Sequence, residues 1–353
     1  MKVLFANDVS DALYAGLRYI LTDGQEAPSR NGSVLVSPVP VTTVTYNPTQ
    51  RVLFVPGRND NPFFHFIESL WMLAGRKDLA PLLPYVKRMA DFSDDGGKTQ
   101  PGAYGYRWRK HFVWAGAPFD QLDWAVNRLK TDPNDRRVVI SMWDGKSDPL
   151  AADNGSKDVP CNTQIYLRVR EPAKSGELSR AELDMTVTCR SNDLLLGAHG
   201  ANAVHFSVLQ EYLASRIGVG VGRMYQVSNN YHLYTNSCDP WALLRAQGGV
   251  AYRSETPIKP YPLFDWDRKP EEWDEDLEMW WNDPAKVGLR HSFFTRVATP
   301  IFFSHKAFRD KSNPERFDAA LEIIDQCAAT DWKLACRTWL ARMKQAADDG
   351  PQK

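Results

Sequence analysis

Residues 190–202 read RSNDLLLGAHGAN. The run before them, 183–189, alternates apolar and polar residues as a half-buried strand does, which puts Arg190 and Ser191 at the strand's end. The segment after them, 202–217, carries Val204, Val208, Leu209, Tyr212, Leu213 and Ile217 at helical spacing and predicts a central core helix. Between the two, Asp193 suits a helix or turn cap, and Asn202 suits the N-cap of the helix that follows.

On the N-terminal side, 164–169 alternates as a second strand, entered through Pro160 and Cys161, and the charged residues 171–182 form the loop between the two strands. RRVVISMW at 136–143 reads as a third strand opened by two arginines. Residues 119–129 form a short helix, and 91–100 is a Gly- and Asp-rich loop leading to the turn PGAYGYRW. FFHFIESLWML at 63–73 is apolar on nearly every face, so a buried helix is expected. Glu68 inside it is unusual, because burying an unpaired charge is costly. Residues 34–55 hold two β-rich runs broken by prolines, 22–33 a polar loop, and 1–21 an amphipathic helix that is no signal peptide. Downstream, 224–234 reads as a strand, and 317–327 and 332–344 as closing helices, with 346–353 loose. The Trp-, Pro- and acid-rich stretch 259–283 looks like an insertion or lid. Strand runs and long helices without βαβ alternation indicate an α+β class, with 1–353 as a single domain.

Forty-three basic residues balance forty-three acidic ones, which removes the broad electrostatic attraction to polyanions that a dedicated nucleic-acid binder shows. Five cysteines without a CxxC pair indicate neither a disulfide framework nor a zinc ribbon, and no metal is expected. No stretch approaches the roughly 18 apolar residues of a membrane span, so a cytoplasmic protein without membrane attachment is expected.

Cys161 alone is more often an inert thiol, but its company changes that reading. A nucleophilic cysteine needs nearby positive charge, and Arg190, Arg136 and Arg137 stand on neighbouring strands. With Ser191, these arginines could also grip a phosphate dianion.

The order of motifs resembles the thymidylate synthase family. GSVLVS after Arg30, HFIESLWMLAG, PGAYGYRW, RRVVISMW, PCN and RSNDLLLG through HLYTN follow one another over residues 30–236, and the last third resembles the family only loosely. The resemblance implies a twisted mixed sheet packed on helices, with the sheet face forming an obligate homodimer. It implies that Cys161 adds to pyrimidine C6, making C5 a carbon nucleophile toward 5,10-methylene-tetrahydrofolate. Arg190, Ser191 and Arg30 would bind the phosphate, with Arg136 and Arg137 reaching the partner's phosphate site. His232 and Tyr234 would hold the ribose, and Asp193 and Gly197 would contact folate. Glu68 and Tyr104 would move protons, while Asn202 would read the base. His65, His199 and His205 are read as structural.

Four departures from the family pattern touch the chemistry. Asn162 stands where the synthases usually have histidine after the cysteine. Residues 89–100 lack the tryptophans that cover the reacting carbon. GAHGAN is one residue longer than the family's stretch at that place, and the C-terminal tail is polar where the synthases close with an apolar one. Hydride transfer to the exocyclic methylene needs a dry site, so a wetter one favours water and a 5-hydroxymethyl product. This pattern resembles the nucleotide hydroxymethylases of bacteriophages and antibiotic pathways, with the host cytoplasm as location if viral. Asn202 can pair with uracil or, with its amide flipped, with cytosine. The reading leans to dCMP with dUMP close behind. Thymidylate synthesis is the runner-up, and an inactive dimeric nucleotide- or RNA-binding protein is the alternative outside catalysis.

Overall fold

The computed structural model describes every residue except 30–31, 56, 171–180, 237, 247–251, 253–257 and 350–353. Strand β1 (Lys2–Ala6) and helix α1 (Val9–Asp23) are followed by the hairpin β2 (Gln25–Ser29) and β3 (Gly32–Val36), then β4 (Val41–Thr45) and α2 (Pro62–Leu73). A single turn α3 (Tyr104–Tyr106), the ribbon β5 (Val113–Trp114) and β6 (Ala117–Pro118), and α4 (Gln121–Thr131) precede β7 (Val139–Ser141). Helix α5 (Ser147–Asp153) leads to the long strands β8 (Asn162–Arg170) and β9 (Glu182–Asp193). A π-helical segment, Leu194–Ala201, runs into α6 (Asn202–Ile217), and β10 (Gly220–Tyr234) returns along the sheet. Helices α7 (Pro240–Arg245), α8 (Glu272–Asn282), α9 (Thr299–Arg309), α10 (Arg316–Asp325) and α11 (Thr330–Asp348) follow.

The strands form one eight-stranded mixed sheet in the order β1-β4-β10-β9-β8-β7, with the β2–β3 hairpin attached to the end of β10. β1 runs parallel to β4 and β9 parallel to β10, and the other pairs are antiparallel. Strand alternation sorts the side chains by face. Ile165, Leu167, Leu183, Met185, Val187 and Met224 join the core under the helices. Thr186, Thr188 and Tyr225 alternate with them and stay half-buried, and Tyr166 is 42% exposed, so the other face is open in the single chain. The β8–β9 register shifts between Asn162 and Gln164, beside Cys161. Such irregularities re-aim the residues next to a site.

Every residue of α2 is buried, Glu68 included, and α6 is buried along nearly its whole length. Asn61 caps α2 by accepting a hydrogen bond from Phe64 N, and Gly218 in the left-handed region ends α6. A smaller core joins Leu13, Leu17 and Ile20 of α1 to Leu4, Val41, Leu195, Tyr231 and Leu233. Here a Cβ on Gly16 would come within 2.2 Å of the Tyr231 hydroxyl, so only glycine allows this approach.

Four expectations need correction. The first residues are a strand, because KVLFA pairs in register with residues 41–45, and the helix starts only after Asp8, whose side chain accepts from the N–H groups of Ser10 and Asp11. The expected polar loop at 22–33 is largely the β2–β3 hairpin. The strand opened by Arg136 and Arg137 contracts to Val139–Ser141, because Asp135 accepts from Arg137 N and bends 136–137 into a turn. Residues 259–283 are no lid: α8 places Trp273, Leu277 and Trp280 along one face and buries them in the main core. The expected loop at 171–182 lies mostly outside the described residues.

Candidate active site

Cys161 sits half-buried at the entrance to β8, and its neighbour on β9 is Arg190. The Arg190 Nη2 lies 3.7 Å from the Cys161 Sγ. The same guanidinium donates to the carbonyls of Pro160 (2.8 Å) and Val159 (2.9 Å), so the loop that carries the cysteine also holds the cation. Ser191, next on β9, is half-buried.

Tyr104 approaches Cys161 from α3 and stacks on Phe206 at 5.9 Å. Burial raises its phenol well above the ordinary value, and the neighbouring Cys161 adds to the shift, so Tyr104 stays protonated at neutral pH. Asp158, three residues before the cysteine, accepts from Gly102 N at 2.6 Å and ties the PGAYG turn to the cysteine loop. Its carboxyl is pushed up to about 6, chiefly by burial. The preceding loop is also tethered here: Asp94 accepts from the Ser156 hydroxyl and from Lys157 N. Asp95 accepts from Lys98 N, Thr99 N and the Thr99 hydroxyl. The segment beside the cysteine loop is therefore built on carboxylates.

Glu68 meets His205 of α6, with Oε2 and Nε2 3.0 Å apart and both side chains buried. The two stand at ion-pair distance without a formed hydrogen bond, since neither Glu68 Oε2 nor either His205 ring nitrogen has a hydrogen-bond partner among the described residues. His65, one turn earlier on α2, has its pKa lowered, chiefly by burial, and is neutral. His205, read as structural from the sequence, is placed against Glu68 by the packing of α6 on α2. One residue type at one position carried no signal until α2 and α6 were seen to pack.

Asn202 and Gly197 come together around Asn192. Asn202 Nδ2 donates to Asn192 Oδ1 at 3.1 Å, and a Cβ on Gly197 would lie 2.6 Å from that oxygen. Asp193 caps the π-helical segment by accepting from Leu196 N, and burial raises its carboxyl. His232 pairs in register with Asp193, donates from Nδ1 to Asn230 Oδ1 at 2.9 Å, and packs against Tyr234 at 5.3 Å between rings. Arg136 and Arg137 are exposed at the sheet's edge, and Arg137 is held by Asp135. Neither makes a hydrogen bond to Cys161, Arg190 or Ser191 among the described residues. Arg30 lies outside the described residues.

A cleft of about 480 Å³ opens between residues 51–62 and α11, lined by Phe54, Trp332, Trp339, Arg51 and Arg342, and bordered by Gly200 and Val204 beside Asn202. Its walls are chiefly aromatic, because Arg51 is already paired with Glu211 and donates to the Thr49 carbonyl. Among the described residues there is no His/Cys/Asp/Glu group able to hold a metal ion, and no helix is long and apolar enough to cross a membrane.

The thymidylate synthase family model matches residues 13–247. A deoxyuridylate hydroxymethyltransferase of Pseudomonas phage M6 is 46% identical over 366 aligned positions, which cover 99% of this chain and 99% of that protein. Proteins of the same description from Bacillus phage SP01 and Delftia phage PhiW-14 are 39% and 30% identical, over 55% and 66% of this chain and 49% and 62% of their own lengths.

Proposed function

Because the chain belongs to the thymidylate synthase family, we propose that it is a pyrimidine deoxynucleotide 5-hydroxymethyltransferase that acts on dUMP with methylene-tetrahydrofolate and water. The sequence reading leaned to dCMP. The three phage relatives, all described as acting on deoxyuridylate, move the choice to dUMP. Phage relatives also favour the host cytoplasm as its location.

In this reading Cys161, beside Arg190, bonds to C6 of the uracil, and the electron pair moves to C5. The folate supplies a one-carbon unit at the oxidation level of formaldehyde, which C5 captures. Loss of the C5 proton and of the folate amine leaves an exocyclic methylene on the ring. Water adds to that methylene and loses a proton, the electron pair returns through C5, and Cys161 leaves C6. The sum is dUMP, methylene-tetrahydrofolate and water giving 5-hydroxymethyl-dUMP and tetrahydrofolate, with no redox change. Glu68 with His205, and the protonated Tyr104, stand as the groups that place water and move protons. Arg190 and Ser191 bind the phosphate, joined by Arg30 and, from a second copy, Arg136 and Arg137. The open sheet face with Tyr166 is the surface for that second copy. His232 and Tyr234 hold the ribose. Asp193 and Gly197 face the folate ring, and the aromatic cleft takes its aryl tail.

The observation that carries the water branch is the carboxylate-built loop tied to residues 156–158. It contains no tryptophan to keep water from the methylene. Equal dUMP and dCMP offered with methylene-tetrahydrofolate, with products identified by mass, test the reading. Hydroxymethyl-dUMP is the expected product. A hydroxymethyl group on dCMP alone, or a methyl group on dUMP, contradicts it.

A further inference from the structure

Three buried amides connect Asn202 to the backbone. Gln226 Nε2 donates to the Ala198 carbonyl at 3.1 Å. Gln226 Oε1 accepts from Asn192 Nδ2 at 3.2 Å, and the same Nδ2 donates to Ser228 Oγ at 3.0 Å. Asn192 Oδ1 then accepts from Asn202 Nδ2 at 3.1 Å. A backbone carbonyl accepts and never donates, so it fixes which end of Gln226 faces it, and each amide in turn fixes the next. Flipping Asn202 would set its oxygen against Asn192 Oδ1. Flipping Asn192 as well would move the clash to Gln226, and flipping that would move it to Ala198, whose carbonyl cannot reverse. Asn192, Gln226, Ser228 and Asn202 are all buried, so a mismatched link meets no bulk water and carries its full desolvation penalty. Gly197 leaves just the room this link needs, since a Cβ there would lie 2.6 Å from Asn192 Oδ1 and 3.4 Å from Asn202 Nδ2.

We propose that Asn192 is a specificity-determining residue, which locks the amide of Asn202 in one orientation through the Gln226 relay and so makes the site choose between a 4-oxo and a 4-amino pyrimidine. The proposal rests on reading Asn202 as the residue that faces the base. A locked amide that matches the N3–H and O4 of uracil meets cytosine with donor against donor and acceptor against acceptor. An amide free to flip would accept both. Asn192 acts through Asn202 and is a positioning residue.

The test is the ratio of kcat/KM for dUMP over dCMP in the wild type and in Asn192→Ala, Gln226→Leu and Asn202→Ala. A ratio is independent of the fraction of enzyme that folds, and Gln226→Leu breaks the relay at a second place if Asn192→Ala is poorly soluble. Both relay variants are expected to lower the ratio by about tenfold or more, through a higher KM for dUMP with activity on dCMP kept or gained. Parallel losses on both bases with an unchanged ratio would make the relay merely structural and overturn the proposal. If Asn202→Ala itself keeps wild-type selectivity, the placement of Asn202 at the base has failed and the proposal falls with it.

Discussion

Arg190 serves Cys161 in two ways, as the nearest cation and as the clamp on the carbonyls of residues 159 and 160 that fixes the cysteine loop. Serine at 161 would keep both contacts with the loop but lose the soft nucleophile, and none of the described hydrogen bonds gives that position a histidine base. Cys161→Ser is therefore expected to reduce turnover by at least about a thousandfold while dUMP still binds, measured by single-turnover kinetics beside calorimetry. Retained turnover would remove covalent catalysis from the account. At this scale the sequence singled out residues where chemistry and motif coincide, as at Cys161, Glu68 and Arg190. Asn192 gave no such signal. Its meaning lies in its closeness to residues 202 and 226, which belong to other elements, and no spacing along the chain encodes that.

Among the elements, α2 was legible because it is apolar on nearly every face, and α6 because its apolar residues repeat at helical spacing; Asn202 opens α6 without capping it, because the π-helical segment runs straight into it and the Asn202 side chain bonds to Asn192. α8 was misread because tryptophans, prolines and acids were weighed as composition and not as a stripe. Trp273 is fully buried, stacks on Phe264 at 5.4 Å, packs edge-on to Tyr212 at 5.5 Å and donates from its indole to the Leu263 carbonyl. Trp273→Ala is expected to destabilise the protein by about 3–5 kcal/mol in denaturant unfolding, a core-sized loss. A lid residue would show almost none. β1 was hidden because five residues are too few for periodicity to separate a strand from the start of a helix, and only pairing with β4 decides it.

At the scale of the whole molecule, the mixed sheet with one face under helices and the other open follows from alternation in β8 and β9, which the sequence displayed; the strand order did not follow from it. The buried carboxyls add a pH dependence that no pattern announced. Asp331 accepts from the Tyr252 hydroxyl at 2.9 Å, and burial pushes its pKa up from 3.8 to about 6. The folded protein holds this proton up to about pH 6 while the unfolded chain releases it near pH 4, so this contribution to stability is lost as pH rises between the two. Asp331→Asn removes the titration but leaves one amide oxygen for the two donors the carboxylate accepts from, the Tyr252 hydroxyl and Trp332 N. Its stability relative to the wild type is expected to rise by up to about 3 kcal/mol between pH 4 and pH 8, checked by melting across pH. An equal effect at both ends would assign the change to packing. The central claim, that water and not hydride completes the reaction at C5, is tested most directly by running the enzyme with dUMP and methylene-tetrahydrofolate in water enriched in heavy oxygen. The account predicts heavy oxygen in the 5-hydroxymethyl group and recovery of tetrahydrofolate, whereas an unlabelled 5-methyl product with dihydrofolate would contradict it.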